Sequence, residues 1–404
     1  MSEPQSKLLL VAGTGDSTKL AKHILEILSE TYGMGNSVQM HKPLRSEQVQ
    51  KSMRKAHPYP LVLDAYPDDE TRVDMGKNLL LDEFRGKHVA IVKYMYTPRR
   101  RPNMSINDHI YEIRGLLDVL DNTDILHRTL VVPYMPYLRS HSVDKYKKKG
   151  FYQFDSLERM VKDFNEGNVN SIICIDPHSE KLEEIASKYG MNTYMVNPFK
   201  SSEMINPAKL GLNGEDSDAV LRTLQPFIEH YRKVKEDDGK ISFISPDSNA
   251  ERRVENFLVD SRRSVDPLLS WSIIGYRGKD RETMSNPTGM FKSFSQVNEG
   301  NIDPDTTYVI IDDMLSSGGT AEEVAKMLKQ HGARRVELWC SHPIAPEREK
   351  VVALKYLDKI VVLDTVLHDN PDEMHLQYIE SSAELLAAEL YKVHMRLENE
   401  RVGL

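Results

Sequence analysis

The sequence is poor in cysteine, with two in 404 residues, Cys174 and Cys340, each set inside an apolar run. That pair does not make a disulfide framework, and a reducing compartment, the cytoplasm, is expected. Long apolar runs are missing too. No stretch approaches the ~18 residues of a membrane span. Met1 to Lys7 is polar and leads straight into a strand-like segment, without the order of a signal peptide. Positive charge is not in excess: 53 Lys and Arg stand against 61 Asp and Glu, a net charge of −8. Bulk attraction to nucleic acid or to an anionic membrane is therefore disfavoured. The basic runs Arg99-Arg100-Arg101 and Lys147-Lys148-Lys149 read as solvated faces, or as guides for anions if a nucleotide or phosphate effector binds beside them. The chain has no Walker A pattern, which excludes a P-loop kinase, and neither a CxxC pair nor a His-Glu-x-x-His zinc motif.

What is present is ordinary for a globular chain: 40% apolar and 28% charged residues, too apolar for global disorder. The length calls for two domains of roughly 150–200 residues each. Short apolar runs alternate with amphipathic stretches. Leu8 to Val11 reads as a strand and Leu20 to Leu28 as a helix, with Leu20, Ile24, Leu25 and Leu28 on one face. The same grammar gives strands at Val89–Val92, Leu130–Val132 and Ile172–Ile175, and helices at Ile110–Leu120, Leu157–Phe164 and Leu182–Lys188. The second half repeats it, with strands at Ile241–Ile244, Ile273–Ile274, Tyr308–Ile311, Val336–Cys340 and Ile360–Leu363. Helices are expected to begin at Ala250 and to span Ala321–Lys329. Such alternation predicts an α/β fold of two domains, each a mostly parallel sheet flanked by helices. The polar stretch Asn197–Asn213 marks the boundary, giving domains 1–197 and 198–375. A long helical pattern from Leu376 to Asn399, within a terminal segment 376–404, is expected to rejoin the first domain.

One segment carries most of the chemistry. In Val309-Ile310-Ile311-Asp312-Asp313-Met314-Leu315-Ser316-Ser317-Gly318-Gly319-Thr320 an apolar strand ends in two carboxylates, and a small-residue loop then opens a helix. Ligands of open α/β sheets bind beyond the carboxyl ends of strands. Glycines let backbone N–H groups approach a phosphate, and a helix N-terminus favours negative charge. Ser316, Ser317 and Thr320 add hydroxyl donors. Two acids would repel that phosphate, so they are expected to face a ribose diol, and a sugar phosphate satisfies both ends of the motif.

This segment resembles the phosphoribosyl-pyrophosphate (PRPP) motif of type I phosphoribosyltransferases and PRPP synthetases. The rest of the chain resembles the synthetases (the ribose-phosphate pyrophosphokinases) in order. Tyr66-Pro67-Asp68-Asp69-Glu70-Thr71 looks like their adenine-contacting loop, and Arg85-Gly86-Lys87-His88-Val89 like the lead into the next strand. Val132 to Arg139 resembles the segment ending in an ATP-binding arginine, and Asp176-Pro177-His178 the strand end whose histidine sits at the ATP and metal site. Ser245-Pro246-Asp247 is similar to the element whose aspartate serves Mg²⁺ and the ribose, and Lys279-Asp280-Arg281 to the Lys-x-Arg of the catalytic loop. Ser341-His342-Pro343 and the helix Ile379 to His394 also fit.

The resemblance implies transfer of the β,γ-diphosphate of Mg-ATP to the anomeric hydroxyl of ribose 5-phosphate, giving PRPP and AMP. It implies Lys279 and Arg281 as catalytic residues, and Asp68, Glu70, Arg139 and His178 as ATP ligands. Asp312, Asp313, Ser316, Ser317, Gly318, Gly319 and Thr320 would hold the ribose phosphate, with His178 and Asp247 at Mg²⁺. The implied cofactor is Mg²⁺, and the implied form is a homo-oligomer with ATP sites completed across subunits. Three stretches depart from the family. Ser140-His141-Ser142 follow Arg139, Ser179-Glu180-Lys181-Leu182 follow His178, and Ser316 stands where an acid is usual. Extra residues lie around 200–240 and 282–301. Two other outcomes stay open: the same chemistry on a larger ribose such as ADP-ribose, and a non-catalytic regulatory subunit.

Overall fold

The structure is a computed structural model. It describes residues 7–43, 61–66, 68, 70–76, 83–98, 104–138, 147–200, 226–238, 240–246, 250, 253–259 and 302–403. The chain forms two compact units; the first runs through Val196 and takes in the segment from Ser382 onward, and the second includes Thr306 to Ser381.

The first unit is built on six parallel strands: β1 (Leu8–Ala12), β2 (Val38–His41), β5 (His88–Val92), β6 (His127–Val132), β7 (Ser171–Ile175) and β8 (Asn192–Val196). Their order is β2-β1-β5-β6-β7-β8. Every residue of β1, β5 and β7 is buried, as expected of parallel strands covered on both faces, which read as unbroken apolar runs. The helices α1 (Ser17–Glu30), α2 (Ile106–Leu120), α3 (Ser156–Glu166) and α4 (Lys181–Lys188) supply the covers. Helix α1 buries Leu20, Ala21, Ile24 and Leu28, a stripe at helical spacing. Helix α2 opens with a capping box, in which Asp108 N donates to Ser105 Oγ at 3.2 Å and Ser105 N donates back to Asp108 Oδ2 at 2.6 Å.

Sequence periodicity alone leaves four elements of this unit unassigned. Strands β2 and β8 lie at opposite edges of the sheet. Their burial is partial, so they lack the apolar run that marks the central strands. The other two, β3 (Val62–Ala65) and β4 (Thr71–Asp74), form an antiparallel hairpin.

The second unit has five parallel strands, β9 (Lys240–Ile244), β10 (Thr306–Leu315), β11 (Arg335–Pro343), β12 (Lys359–Leu363) and β13 (Leu376–Ile379), in the order β13-β12-β11-β10-β9. Its helices are α5 (Pro226–Asp238), α6 (253–259), α7 (Gly319–Gln330) and the short α8 (Arg348–Val352). One face buries Tyr308, Ile310, Val336, Leu338 and Cys340. Elsewhere in this unit Trp339 lies among Phe227, Phe243 and Phe257, with ring centroids 5.7–6.4 Å apart.

The structure corrects one expectation outright. Leu376 to Asn399 is not a single helix. Leu376–Ile379 is an edge strand, paired in parallel with β12 from Ile360↔Leu376 to Leu363↔Ile379. The helix α9 starts at Ser382 and runs to Val402. Backbone pairing along β12 satisfies the amide groups of this four-residue run, whose apolar spacing does not separate strand from helix. Helix α9 packs within the first unit, where Tyr391 stacks on Tyr32 at 4.6 Å. The expected strand Ile273–Ile274 lies outside the described residues.

A candidate sugar-phosphate site

Strand β10 is longer than the apolar run predicts. Pairing with β9 stops at Ile310↔Ile244, whereas pairing with β11 continues through Asp312↔Cys340 and Met314↔His342 to Leu315↔Pro343. Asp312 and Asp313 therefore lie inside β10, beyond its register with β9, rather than after the strand. Side-chain alternation breaks there. Tyr308 and Ile310 share their core with Leu315, an odd number of residues further on.

The two acids touch each other. Asp313 N donates to Asp312 Oδ1 at 2.9 Å, and Asp313 is 5% exposed. Burial, and then the neighbouring Asp313 carboxylate, push the Asp312 carboxyl well above the usual range, while Arg253 pulls it back. Arg253 comes from α6, with its Nη2 4.0 Å from Asp313 Oδ2. Sequence patterning did not single out this arginine. The available signal was an arginine eight residues after Ser245, on the helix that follows β9.

Past Leu315 the chain turns through Ser316 and Ser317 into Gly318, which adopts φ +75° and caps α7. A side chain at Gly318 would be strained by that backbone, and its Cβ would stand 2.6 Å from Leu354 Cδ1. At Gly319, by contrast, a Cβ would meet nothing among the described residues nearer than Ser317 Oγ at 3.6 Å. The one acid in the first turn of α7, Glu322, is engaged elsewhere. It accepts from Lys355 N at 2.7 Å and Tyr356 N at 3.2 Å. The helix N-terminus and the hydroxyls of Ser316, Ser317 and Thr320 thus form an anion-favouring loop directly after two carboxylates.

The first unit holds the other expected residues that fall among those described. Tyr66 N donates to Glu70 O at 2.8 Å, which closes the β3–β4 hairpin, and the Arg72 guanidinium lies 5.5 Å from the Tyr66 ring centroid. Tyr66 is 47% exposed, and Asp68 and Glu70 are exposed beside it. This is an aromatic face with a polar rim, suited to a planar base. His178 is half-buried on the loop after β7, two residues past the buried Asp176, whose N donates to Val196 O at 2.7 Å. Arg139, Asp247, Lys279 and Arg281 lie outside the described residues, as does the Arg99–Arg101 run.

A feature that the motifs did not flag is a buried ion pair following β5. Lys93 Nζ is 2.7 Å from Glu112 Oε2, with side chains 1% and 4% exposed. Thr14 binds both, donating to Glu112 from N at 3.1 Å and from Oγ1 at 2.8 Å while accepting from Lys93 at 3.0 Å. It occupies the point between β1 and β5 where the strand order reverses, the usual ligand crevice of such sheets. Here the protein's own charges fill it.

Comparison with known proteins agrees with the order of these elements. The N-terminal domain of ribose phosphate pyrophosphokinase matches residues 9–149, and the phosphoribosyl transferase domain matches residues 269–370. Ribose-phosphate pyrophosphokinase 1 of Streptococcus pneumoniae is 24% identical over 344 residues, covering 81% of this chain and 84% of its own. The ribose-phosphate pyrophosphokinase of Ralstonia nicotianae is 23% identical, covering 80% and 83%. In fold, the chain is similar to phosphoribosylpyrophosphate synthetase from Mycobacterium smegmatis, with a TM-score of 0.63 and 14% identity over 96% of this chain and 98% of that one. Two domain types occur in one chain in this order, in relatives of nearly the same extent, and on that ground the chain belongs to the ribose-phosphate pyrophosphokinase family.

Proposed function

We propose that the protein is a diphosphokinase that transfers the β,γ-diphosphate of Mg-ATP to the anomeric hydroxyl of ribose 5-phosphate, releasing AMP. The observation that carries this reading is the sequence of chemistries along β10 and its loop. Two carboxylates in contact are followed at once by a glycine-bent, hydroxyl-rich helix N-terminus. Carboxylates accept from a ribose diol, and the loop takes the 5-phosphate. Tyr66, Asp68 and Glu70 on the hairpin, with His178 and Arg139, are assigned to ATP. In a homo-oligomer the hairpin of one protomer completes the ATP site of its partner.

In this reading charge builds on phosphoryl oxygens in the transition state, so positioned cations carry most of the catalysis. Lys279 supplies a point charge, and Arg281 a planar fork that grips two oxygens. Mg²⁺ would neutralise the ATP phosphates. It prefers oxygen ligands and keeps several waters, so Asp247 suits it directly, and the imidazole of His178 suits ATP or a metal-bound water better than the ion itself.

One observation favours a wider acceptor. Ser316 replaces an acid, and among the described residues a Cβ at Gly319 would meet nothing nearer than Ser317 Oγ at 3.6 Å, which leaves room for a ribose that carries a further group, such as ADP-ribose. Both readings are tested by incubating the protein with Mg-ATP and either ribose 5-phosphate or ADP-ribose and separating the products. AMP release is expected. ADP with a monophosphorylated sugar would sink the diphosphoryl-transfer reading.

A further inference from the structure

We propose that Arg253 is a positioning residue of the sugar site, holding the Asp312–Asp313 pair as two hydrogen-bond acceptors ready for a diol. The inference rests on the sugar-phosphate reading of the β10 loop and extends it to a residue on another element. Its basis is geometric. Two carboxyl groups share one hydrogen-bonded corner of β10, with Asp313 almost wholly enclosed. Adjacent buried carboxyls resist double ionisation, because like charges in a poorly solvated pocket raise each other's proton affinity. A protonated acid presents an O–H toward the sugar hydroxyl and loses acceptor capacity.

Arg253 opposes this. Its side chain is 14% exposed, its Nη2 is 4.0 Å from Asp313 Oδ2, and its guanidinium lies 6.0 Å from the centroid of the Phe199 ring. The aromatic face restrains the cation at a distance where it acts on the pair through charge. The direction of its electrostatic effect on Asp312 agrees. A guanidinium stays protonated throughout the working pH range, so its influence does not itself titrate. The titratable groups near the acids on the paired strand are Cys340, which pairs in register with Asp312, and His342, which pairs with Met314. The His342 Nδ1 is 2.9 Å from Thr365 Oγ1, and that hydroxyl donates to Ser341 O at 2.8 Å. Thr365 therefore accepts from His342 Nδ1–H, which orients the ring. From β9, Asp247 lies outside the described residues.

The test compares the wild type with Arg253→Gln and Arg253→Lys. The Asp312 and Asp313 carboxyls are titrated by carbon NMR on aspartate-labelled protein without ligand, assigned with Asp312→Asn and Asp313→Asn. Ribose 5-phosphate binding is measured in parallel by calorimetry from pH 5 to 8, with inorganic phosphate as the probe of the loop alone. Expected is an upward move of the carboxyl titration in the Gln variant by about one pH unit, a tenfold change in proton affinity. The pH below which ribose 5-phosphate binding weakens should move equally, phosphate binding should keep its profile, and the Lys variant should restore most of both. An unmoved carboxyl titration in a folded Gln variant overturns the proposal. If the Gln variant does not fold, a Lys variant whose carboxyl titration and ribose 5-phosphate profile both match the wild type supports the role of charge, and a sugar-binding loss without any pH dependence overturns it. If the titration moves but wild type binds no ribose 5-phosphate at any pH, the sugar reading itself fails, and with it the positioning role.

Discussion

His88 Nδ1 lies 3.2 Å from His394 Nδ1, joining the start of β5 to the C-terminal helix α9 across 306 residues of sequence. His88 Nε2 is 2.8 Å from Thr129 Oγ1, and the His127 ring meets His88 edge-on at 5.2 Å. Facing Nδ1 atoms form a hydrogen bond only when one carries a proton and the other a lone pair. Two imidazolium rings cannot share this contact.

The first prediction concerns acid stability of that joint. Burial, then His394 and His127, lower the His88 value well below the usual histidine range; burial lowers His394 against the pull of Glu398, and lowers His127 from 6.5 to about 4. The folded values lie below the unfolded ones, so the unfolded chain binds the protons. Stability is fully present above about pH 6.5 and falls as the pH drops from there toward 4, by at most about 1.4 kcal/mol per pH unit for each group that stays neutral. Urea midpoints at pH 7.5 and 5, with amide exchange in α9 as a local probe, should show the loss. His394→Gln should flatten the slope, and an unchanged slope would contradict the assignment.

The second prediction contrasts neighbouring glycines. Gly318→Ala forces a left-handed alanine and a Cβ 2.6 Å from Leu354. It should cost roughly 1–2 kcal/mol of stability and weaken inorganic phosphate and ribose 5-phosphate binding. Gly319→Ala, at the start of α7, places a Cβ in ordinary contact with Ser317 Oγ at 3.6 Å and should be neutral or stabilising by about 0.4–1 kcal/mol. Equal thermal shifts for the two variants would refute the loop geometry.

The third prediction addresses the filled crevice of the first sheet. Lys93→Met strands the Glu112 carboxylate in the interior and should cost about 3–5 kcal/mol. Lys93→Met with Glu112→Gln removes the orphaned charge yet keeps an acceptor for Thr14 N, and should recover most of that loss. A double variant no more stable than the single one, by urea titration, would show that the pair is not coupled in this way.

The fourth separates binding from catalysis. Asp313→Asn should weaken ribose 5-phosphate binding with ATP affinity nearly intact. Lys279→Ala and Arg281→Ala should each lower turnover roughly 10²–10³-fold, with sugar binding retained. A doubly substituted Lys279/Arg281 variant with wild-type turnover would return those residues to the solvated surface.

The sequence by itself determined the α/β character, the central strands and the acid-glycine-hydroxyl segment. Unbroken apolar runs such as Leu8–Ala12 arise because such strands are buried on both faces, and Gly318 stands where the left-handed turn disfavours a side chain. Local chemistry dictated these features, so they are legible locally. The edge strands β2, β8 and β13 were not legible, because half-exposed runs of four or five residues acquire their identity from the strand beside them. Nor was it legible that Asp312 and Asp313 lie within β10, since one-sided pairing with β11 extends the strand past the end of β9. Only the tertiary structure brought Arg253 to the acids, His394 to His88 and Lys93 to Glu112. These partners are 60, 306 and 19 residues apart, and charge and burial at such separations are set by packing, not by any pattern along the chain.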